Sequence, residues 1–275
     1  MDFIKGIDHI ALRTGDVDAA IRFYRDGLGL TLKQNDDYNA IIATPDGILL
    51  EIFSGGSTRW DAGGITHICL NTYDVDAAFA RALEYGAVPS RPQDPEPYTY
   101  KDLRMAFVRT PSGEEIEFWG IQKPEGGFGE PVVNGKYIKH FVHVALTVPD
   151  MYACVRFYEA LGAKLKIDWE WGCSMTLPDG REFELFTGGE MAGEPEAYTH
   201  MCLLTHDVDG ALDRVLALGG KIAHAPYDWG GLRIGFATGP AGETIEFFQL
   251  YPDARKDNVF TILPARLPDL FAWEE

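Results

Sequence analysis

Short apolar runs, each interrupted by a single histidine, recur four times along the chain. They read Ile7-Asp8-His9-Ile10-Ala11-Leu12-Arg13-Thr14, Ile65-Thr66-His67-Ile68-Cys69-Leu70-Asn71-Thr72, Phe141-Val142-His143-Val144-Ala145-Leu146-Thr147 and Tyr198-Thr199-His200-Met201-Cys202-Leu203-Leu204-Thr205. Their length and apolar content predict strands. Seven residues after each histidine stands an aspartate, Asp16, Asp74, Asp150 or Asp207, in the place of a helix N-cap. The spacing of apolar residues then becomes helical. Val17, Ala20, Ile21, Tyr24 and Leu28 share one face, and Val75/Ala78/Ala82, Met151/Val155/Tyr158 and Val208/Ala211/Val215 repeat the arrangement. Each helix runs to a glycine suited to a left-handed C-terminal turn: Gly29, Gly86, Gly162 and Gly219.

Two or three extended runs follow each helix. The last is introduced by a proline-to-glycine turn, Pro45-Asp46-Gly47, Pro111-Ser112-Gly113, Pro178-Asp179-Gly180 or Pro240-Ala241-Gly242. Four residues beyond each glycine stands a glutamate, Glu51, Glu117, Glu184 or Glu246, with apolar neighbours on both sides. Strand alternation cannot expose all of these carboxylates, since apolar residues flank them on both sides, so the glutamates are expected to face inward.

The repeating unit is therefore βαβββ, present four times. Odd copies share Arg22-Phe23-Tyr24 and Arg156-Phe157-Tyr158, whereas even copies share Leu103-Arg104 and Leu232-Arg233. This alternation predicts an α+β chain in which a two-module domain has been doubled. The first domain is expected over 1–122, with modules 6–55 and 64–122. The second is expected over 137–252, with modules 140–188 and 197–252. Between them, 123–136 reads as a linker; its Gly126-Gly127-Phe128-Gly129 opens no helix and is a joint rather than a phosphate loop. The tail, 253–275, with Pro264, Pro268, Phe271 and Trp273, is expected to cover a surface.

A chain of 275 residues with 46% hydrophobic and 24% charged residues has ordinary globular composition. Its formal charge of −18 argues against nucleic acid as a partner, since binding phosphates needs a cationic face. No apolar run is long enough for a bilayer and the first residues do not resemble a secretory signal, so a cytoplasmic location, away from membranes, is expected. The four cysteines form no CxxC pair and read as small apolar fillers.

A histidine and a glutamate in each module, on strands lining one concave face, offer two imidazoles and two carboxylates wherever two modules face each other. Such a donor set suits a divalent ion, Ni, Zn, Fe, Co or Mn, rather than a thiolate-seeking one. If neighbouring modules pair, the sets are His9/Glu51/His67/Glu117 and His143/Glu184/His200/Glu246. If the modules exchange, the sets are His9/Glu51/His200/Glu246 and His67/Glu117/His143/Glu184. Spacing leaves both open. His140 lies outside the register of His143, and His206 and His224 fall outside it as well. Tyr98, Tyr100, Trp119, Trp169, Trp171, Tyr227 and Trp229 are candidates either for a cavity wall or for core packing.

The histidine strand, the Asp-capped helix with Phe-Tyr and Leu-Gly, and the Pro-x-Gly-x-x-x-Glu ending together resemble the vicinal oxygen chelate superfamily of glyoxalase I, extradiol dioxygenases and bleomycin-resistance proteins. The resemblance covers about residues 6 to 250. It implies paired βαβββ modules with curled mixed sheets around a divalent metal that chelates two adjacent substrate oxygens. Two His and two Glu per site resemble the glyoxalase I set, so the implied activity is a metal-dependent lyase or isomerase acting through an enediolate of a small oxygenated substrate. Glu117 and Glu246 are then the candidates for proton transfer, and Arg13, four residues past His9, for a substrate carboxylate. Beyond Arg13 no glutathione-pocket motif is recognisable. The rivals are an Fe(II) ring-cleaving dioxygenase of a catechol or hydroquinone and a non-catalytic ligand-sequestering protein. The expected assembly is a monomer or a homodimer.

Overall fold

The computed structural model describes residues 3–55, 64–121, 136–187 and 198–251. The linker expected at 123–136 lies outside them except for Lys136, and the tail expected at 253–275 lies wholly outside. The first module has β1 (Ile4–Thr14), α1 (Val17–Ile21), which continues as a π-helical turn over Arg22–Gly27, then β2 (Thr31–Asn35), β3 (Asn39–Ala43) and β4 (Leu49–Ser54). In the second are β5 (Gly64–Thr72), α2 (Val75–Glu84), the short β6 (Val88–Pro89) and β7 (Tyr98–Tyr100), β8 (Leu103–Arg109) and β9 (Glu115–Ile121). The third runs β10 (Ile138–Val148), α3 (Met151–Leu161), β11 (Lys164–Asp168), β12 (Gly172–Thr176) and β13 (Glu182–Thr187). The fourth is β14 (Tyr198–Thr205), α4 (Val208–Ala217), β15 (Lys221–Trp229), β16 (Leu232–Thr238) and β17 (Thr244–Leu250).

Helix starts follow the predicted chemistry. The carboxylates of Asp16, Asp74, Asp150 and Asp207 accept hydrogen bonds from the backbone N–H three residues on, at 2.8, 3.1, 2.9 and 2.9 Å. Each thereby satisfies an otherwise orphaned donor of the first turn. In α3 the buried face is Met151, Cys154, Val155, Phe157, Tyr158 and Leu161, and Gly162 ends the helix at φ +120°, a conformation that penalises any side chain. Replacing Asp150 by Ala is expected to lower stability by about 1 kcal/mol, read as a shifted urea midpoint with an unchanged slope.

The strands form two mixed sheets, as the α+β reading requires. Their orders are β2-β3-β4-β1-β5-β9-β8-β6, with β7 on β8, and β11-β12-β13-β10-β14-β17-β16-β15. The even modules close in the same way: β5 runs parallel to β9 with Cys69 opposite Glu117, and β14 runs parallel to β17 with Cys202 opposite Glu246. Arg104 and Arg233, the matched arginines of those modules, reach back to Asp76 and Asp209 on α2 and α4 at 2.9 and 2.6 Å.

Two compact units divide the chain, each drawing on both of its halves. One comprises Met1–Ile10, Thr66–Glu130 and Val144–Thr199. Within it Tyr158 donates to the buried carboxylate of Glu114 at 2.7 Å, and Arg81 Nε reaches the carbonyl of Ala160 at 3.3 Å. The other comprises Ala11–Ile65, Pro131–His143 and His200–Glu275. There Tyr24 donates to the buried Glu243, and Thr14 Oγ1 to the carbonyl of Pro240 at 3.2 Å. So an odd-module helix tyrosine meets the glutamate that follows an even-module turn glycine in both units. No helix among the described residues is long and apolar enough to cross a membrane.

Candidate metal centres

In the first unit, three neighbouring strands each contribute one polar side chain to a common point. His9 from β1, His67 from β5 and Glu117 from β9 are all buried, at 3%, 4% and 2% exposure. His67 Nε2 lies 3.1 Å and His9 Nε2 3.2 Å from the same oxygen, Glu117 Oε2. The other carboxylate oxygen, Oε1, is buried without a hydrogen-bond partner among the described residues. Trp119 packs edge-on against His9 with ring centroids 5.5 Å apart, and Phe107 does the same to His67 at 5.6 Å.

The second unit repeats the arrangement with His143 from β10, His200 from β14 and Glu246 from β17. Glu246 Oε2 is 3.0 Å from His143 Nε2 and 3.1 Å from His200 Nε2, and the two nitrogens are 3.2 Å apart. At that separation at least one nitrogen presents a lone pair toward the other. Phe236 takes the place of Phe107, 5.4 Å from the His200 ring.

Burial raises the Glu117 carboxyl, but hydrogen bonds and positive charge from His67 and His9 outweigh it and leave the group lowered to about 2. The Glu246 carboxyl is lowered in the same way, burial being overcome by His143 and His200. Both are therefore carboxylates at neutral pH.

Such a donor set fits a divalent cation. Donors about 2.1 Å from an octahedral ion and cis to one another stand about 3 Å apart, which is the spacing found here. Each triad offers two imidazoles and an anionic oxygen at mutual distances within 4.8 Å. His9, His67 and Glu117 thus come together, as do His143, His200 and Glu246, which follows the neighbouring-module alternative for these six residues. Glu51 stands on β4, where Asn39 Nδ2 donates to its Oε1. Glu184 stands on β13 opposite Ser174 and is 9% exposed. Arg13 lies near the end of β1, its Nε buried without a hydrogen-bond partner among the described residues.

All four cysteines are buried and unbridged. Cys69 abuts His9, and burial pushes its thiol up. His140 faces Asp46 at 3.8 Å, and His224 is bound to the carbonyl of Ala225 at 2.8 Å. Of the candidate wall residues, Trp119 meets a triad imidazole, Tyr98 stacks on Phe107, and Trp169 and Trp171 stack on each other. Residues that the sequence reading passed over are Asp8, whose Oδ1 lies 3.1 Å from His9 Nδ1, and Glu115, 4.0 Å from His67 Nδ1. Asp8 recurs in no other module, and Glu115 is matched only by Glu182 of the third, so the repeat that exposed the triads did not single them out.

Residues 6–118 and 140–247 each match the model of the Glyoxalase/Bleomycin resistance protein/Dioxygenase superfamily. The chain belongs to that superfamily. A lactoylglutathione lyase of Arabidopsis thaliana is 29% identical over 169 residues, covering 57% of this chain and 54% of that protein. The chain thus spans about half the length of that relative. The lactoylglutathione lyase of Haemophilus influenzae is 29% identical over 132 residues, 44% of this chain and 96% of that one. Among solved structures, the Mn(II)-bound glyoxalase of Novosphingobium aromaticivorans aligns with a TM-score of 0.67 at 18% identity, over 90% of this chain and 83% of that one. An extradiol ring-cleaving dioxygenase from B. fuscum aligns equally well, TM-score 0.67 at 19% identity, over 92% and 75%. At such identities these two structures share the superfamily fold.

Proposed function

We propose that the protein is a divalent-metal-dependent lyase or isomerase of glyoxalase I type, with one centre in each of its two expected domains. The observation that carries this reading is the pair of imidazole nitrogens gathered on one carboxylate oxygen in each unit, at 3.0 to 3.2 Å. Glu51 and Glu184, four residues beyond a turn glycine as Glu117 and Glu246 are, remain the further candidate ligands of this reading.

A divalent ion bound there supplies Lewis-acid polarisation of two vicinal substrate oxygens. The protein's own part is to move a proton between the carbons bearing them. Glu117 suits that step: Oε2 lies 3.1 Å from His67 Nε2 and 3.2 Å from His9 Nε2, while Oε1 is buried and has no hydrogen-bond partner among the described residues. Glu246 is its counterpart. His9, His67 and Glu117 are buried, at 3%, 4% and 2% exposure, which favours return of that proton to the substrate over its loss to solvent. Arg13, with its unpartnered buried Nε, anchors an anionic substrate group in this reading. The substrate is a small oxygenated molecule, and lactoylglutathione formation is the first reaction to assay because the curated relatives bear that name.

A second reading, the Fe(II) ring-cleaving dioxygenase, is favoured by one observation: two histidines and one glutamate at these spacings form the three-donor face used by oxygen-activating iron sites. Oxygen consumption separates the two. Stripping with chelator is expected to abolish activity, and restoring a divalent ion to recover it, with no oxygen consumed. Oxygen uptake on a catechol panel with Fe(II) would instead select the dioxygenase. Failure to take up any divalent ion, with ligand still bound after His67→Ala or His200→Ala, would leave only a sequestering protein.

A further inference from the structure

We propose that Tyr98 and Tyr227 are hydrogen-bond donors of the two centres, each presenting its phenol O–H to the substrate oxygen on which negative charge develops. The inference rests on the lyase or isomerase reading above. Each tyrosine stands nineteen residues ahead of its triad glutamate and nine ahead of the phenylalanine that packs on a triad histidine, Phe107 on His67 or Phe236 on His200. Sheet register places both on the side of the triads. Phe107 is paired with Glu117, Met105 with Trp119, and Tyr98 with Met105. Directly opposed residues of neighbouring strands share a face, and so do residues two apart on one strand. Tyr98 therefore lies on the sheet face that carries Glu117, two strands away. In the second unit Phe236 is paired with Glu246, Ile234 with Phe248, and Tyr227 with Ile234, which puts Tyr227 on the face of Glu246.

Neighbouring side chains hold both rings. Tyr98 stacks on Phe107 with centroids 6.5 Å apart, and the guanidinium carbon of Arg91 lies 3.1 Å from the Phe107 centroid. Arg91 is tied to Glu115 at 3.2 Å and hydrogen-bonds the Tyr98 phenol. A guanidinium only donates, so the phenol oxygen accepts there and its own proton is left to donate elsewhere. Tyr227 meets His224 edge-on at 5.3 Å, and His224 meets Phe236 at 6.2 Å. Burial pushes the Tyr98 phenol up; Arg91 draws it back, and the charge of Glu117 adds to the rise. Burial raises Tyr227 as well, and Glu246 adds to it. Each phenol thus keeps its proton at neutral pH and feels the carboxylate of its own triad. In the reaction it would transfer nothing. Glu117 or Glu246 moves the proton between the carbons, while the phenol's hydrogen bond strengthens as the substrate oxygen gains charge.

The test is a calorimetric titration of the Zn²⁺-loaded full chain with acetohydroxamate, a planar anion with two vicinal oxygens. Tyr98→Phe removes one oxygen and keeps the ring. It should weaken acetohydroxamate at one of the two centres by about 10- to 100-fold, the range for a hydrogen bond to a charged group. Tyr227→Phe should weaken the other centre, toward the lower end of that range, because Tyr227 is 40% exposed and water competes for its O–H. Zn²⁺ affinity, measured against a chromophoric chelator, should be the same in the wild type, both single variants and the double variant. A tyrosine that serves only as packing is replaced by phenylalanine without effect on the anion. Unchanged acetohydroxamate affinity in the double variant therefore overturns the proposal, as does a loss matched by an equal loss of Zn²⁺ affinity, or a Zn²⁺-loaded wild type that binds no acetohydroxamate. All three outcomes leave the metal centres standing. A wild-type chain that takes up no Zn²⁺ would sink the metal reading itself, and this inference with it.

Discussion

Replacing Glu117 and Glu246 together by glutamine is expected to lower turnover by about 10²- to 10⁴-fold, the usual range for losing a general base, while the protein still folds. Glutamine matches the volume and keeps one carbonyl oxygen for the two imidazoles. It cannot accept a proton, and it presents no negative charge to a cation. Both carboxyls are held ionised by their histidines, so the substitution removes an anion that is present throughout the neutral range. The single variants then sort the centres. If both work, each single change leaves a substantial share of the rate; if only one works, one single change reproduces the double. Initial rates at saturating divalent ion, beside far-ultraviolet circular dichroism, check both halves. A double variant that retains most of its activity would remove these carboxylates from the chemistry.

Most of the candidate site was legible because each part of it is repeated. A histidine strand, a capped helix and a glutamate past a turn glycine recur with one spacing, and four copies in register separate His67 or Glu246 from a chance polar residue. Fold class followed from the same source, as the change of apolar period from strand to helix marks βαβββ without tertiary information. What the repeat could not supply is whatever distinguishes the copies. Asp8 stands beside His9 in one copy, while Val142 holds the same place in another. Nothing local says which of them faces an imidazole, because neighbours on a strand nominally point to opposite sides. The module pairing was illegible for a different reason: strand order depends on long-range hydrogen bonds, and a step of sixteen residues from Glu51 to His67 permits either partner.

An intermediate case is the tyrosine and glutamate pairs. Tyr24 and Tyr158 recur in odd modules, and Glu114 and Glu243 follow the turn glycine only in even ones, where Ile48 and Arg181 stand in the odd. This alternation is visible in the sequence, but without topology it reads as drift. The contacts of Tyr158 with Glu114 and of Tyr24 with Glu243 show it to be complementary, since each half of the alternation buries a polar group that the other satisfies.

Glu243 accordingly makes stability depend on pH in a direction opposite to that of an ordinary paired carboxylate. It is 2% exposed, and burial pushes its carboxyl up to about 7 against the hydrogen bonds from Tyr24, its own backbone and Ala241 N–H. Because the folded value lies above the ordinary 4.5, the folded chain holds this proton more firmly than the unfolded one. The contribution is full below about pH 4.5, declines as pH rises toward 7, and is gone above that value. At about 1.4 kcal/mol per pKa unit, its size is about 3 kcal/mol. Glutamine at this position cannot ionise, so Glu243→Gln should remove that part of the slope. Its carbonyl can still accept from Tyr24, but its amide then faces the Ala241 N–H, which donates to Oε2 in the wild type at 2.8 Å, at a cost of about 1 kcal/mol. The variant is therefore expected to be the less stable protein at pH 5 and the more stable at pH 8. Urea unfolding of both proteins at the two values, with chelator present throughout, measures the crossing. Parallel stability curves for the two proteins would mean that Glu243 keeps the same protonation state folded and unfolded.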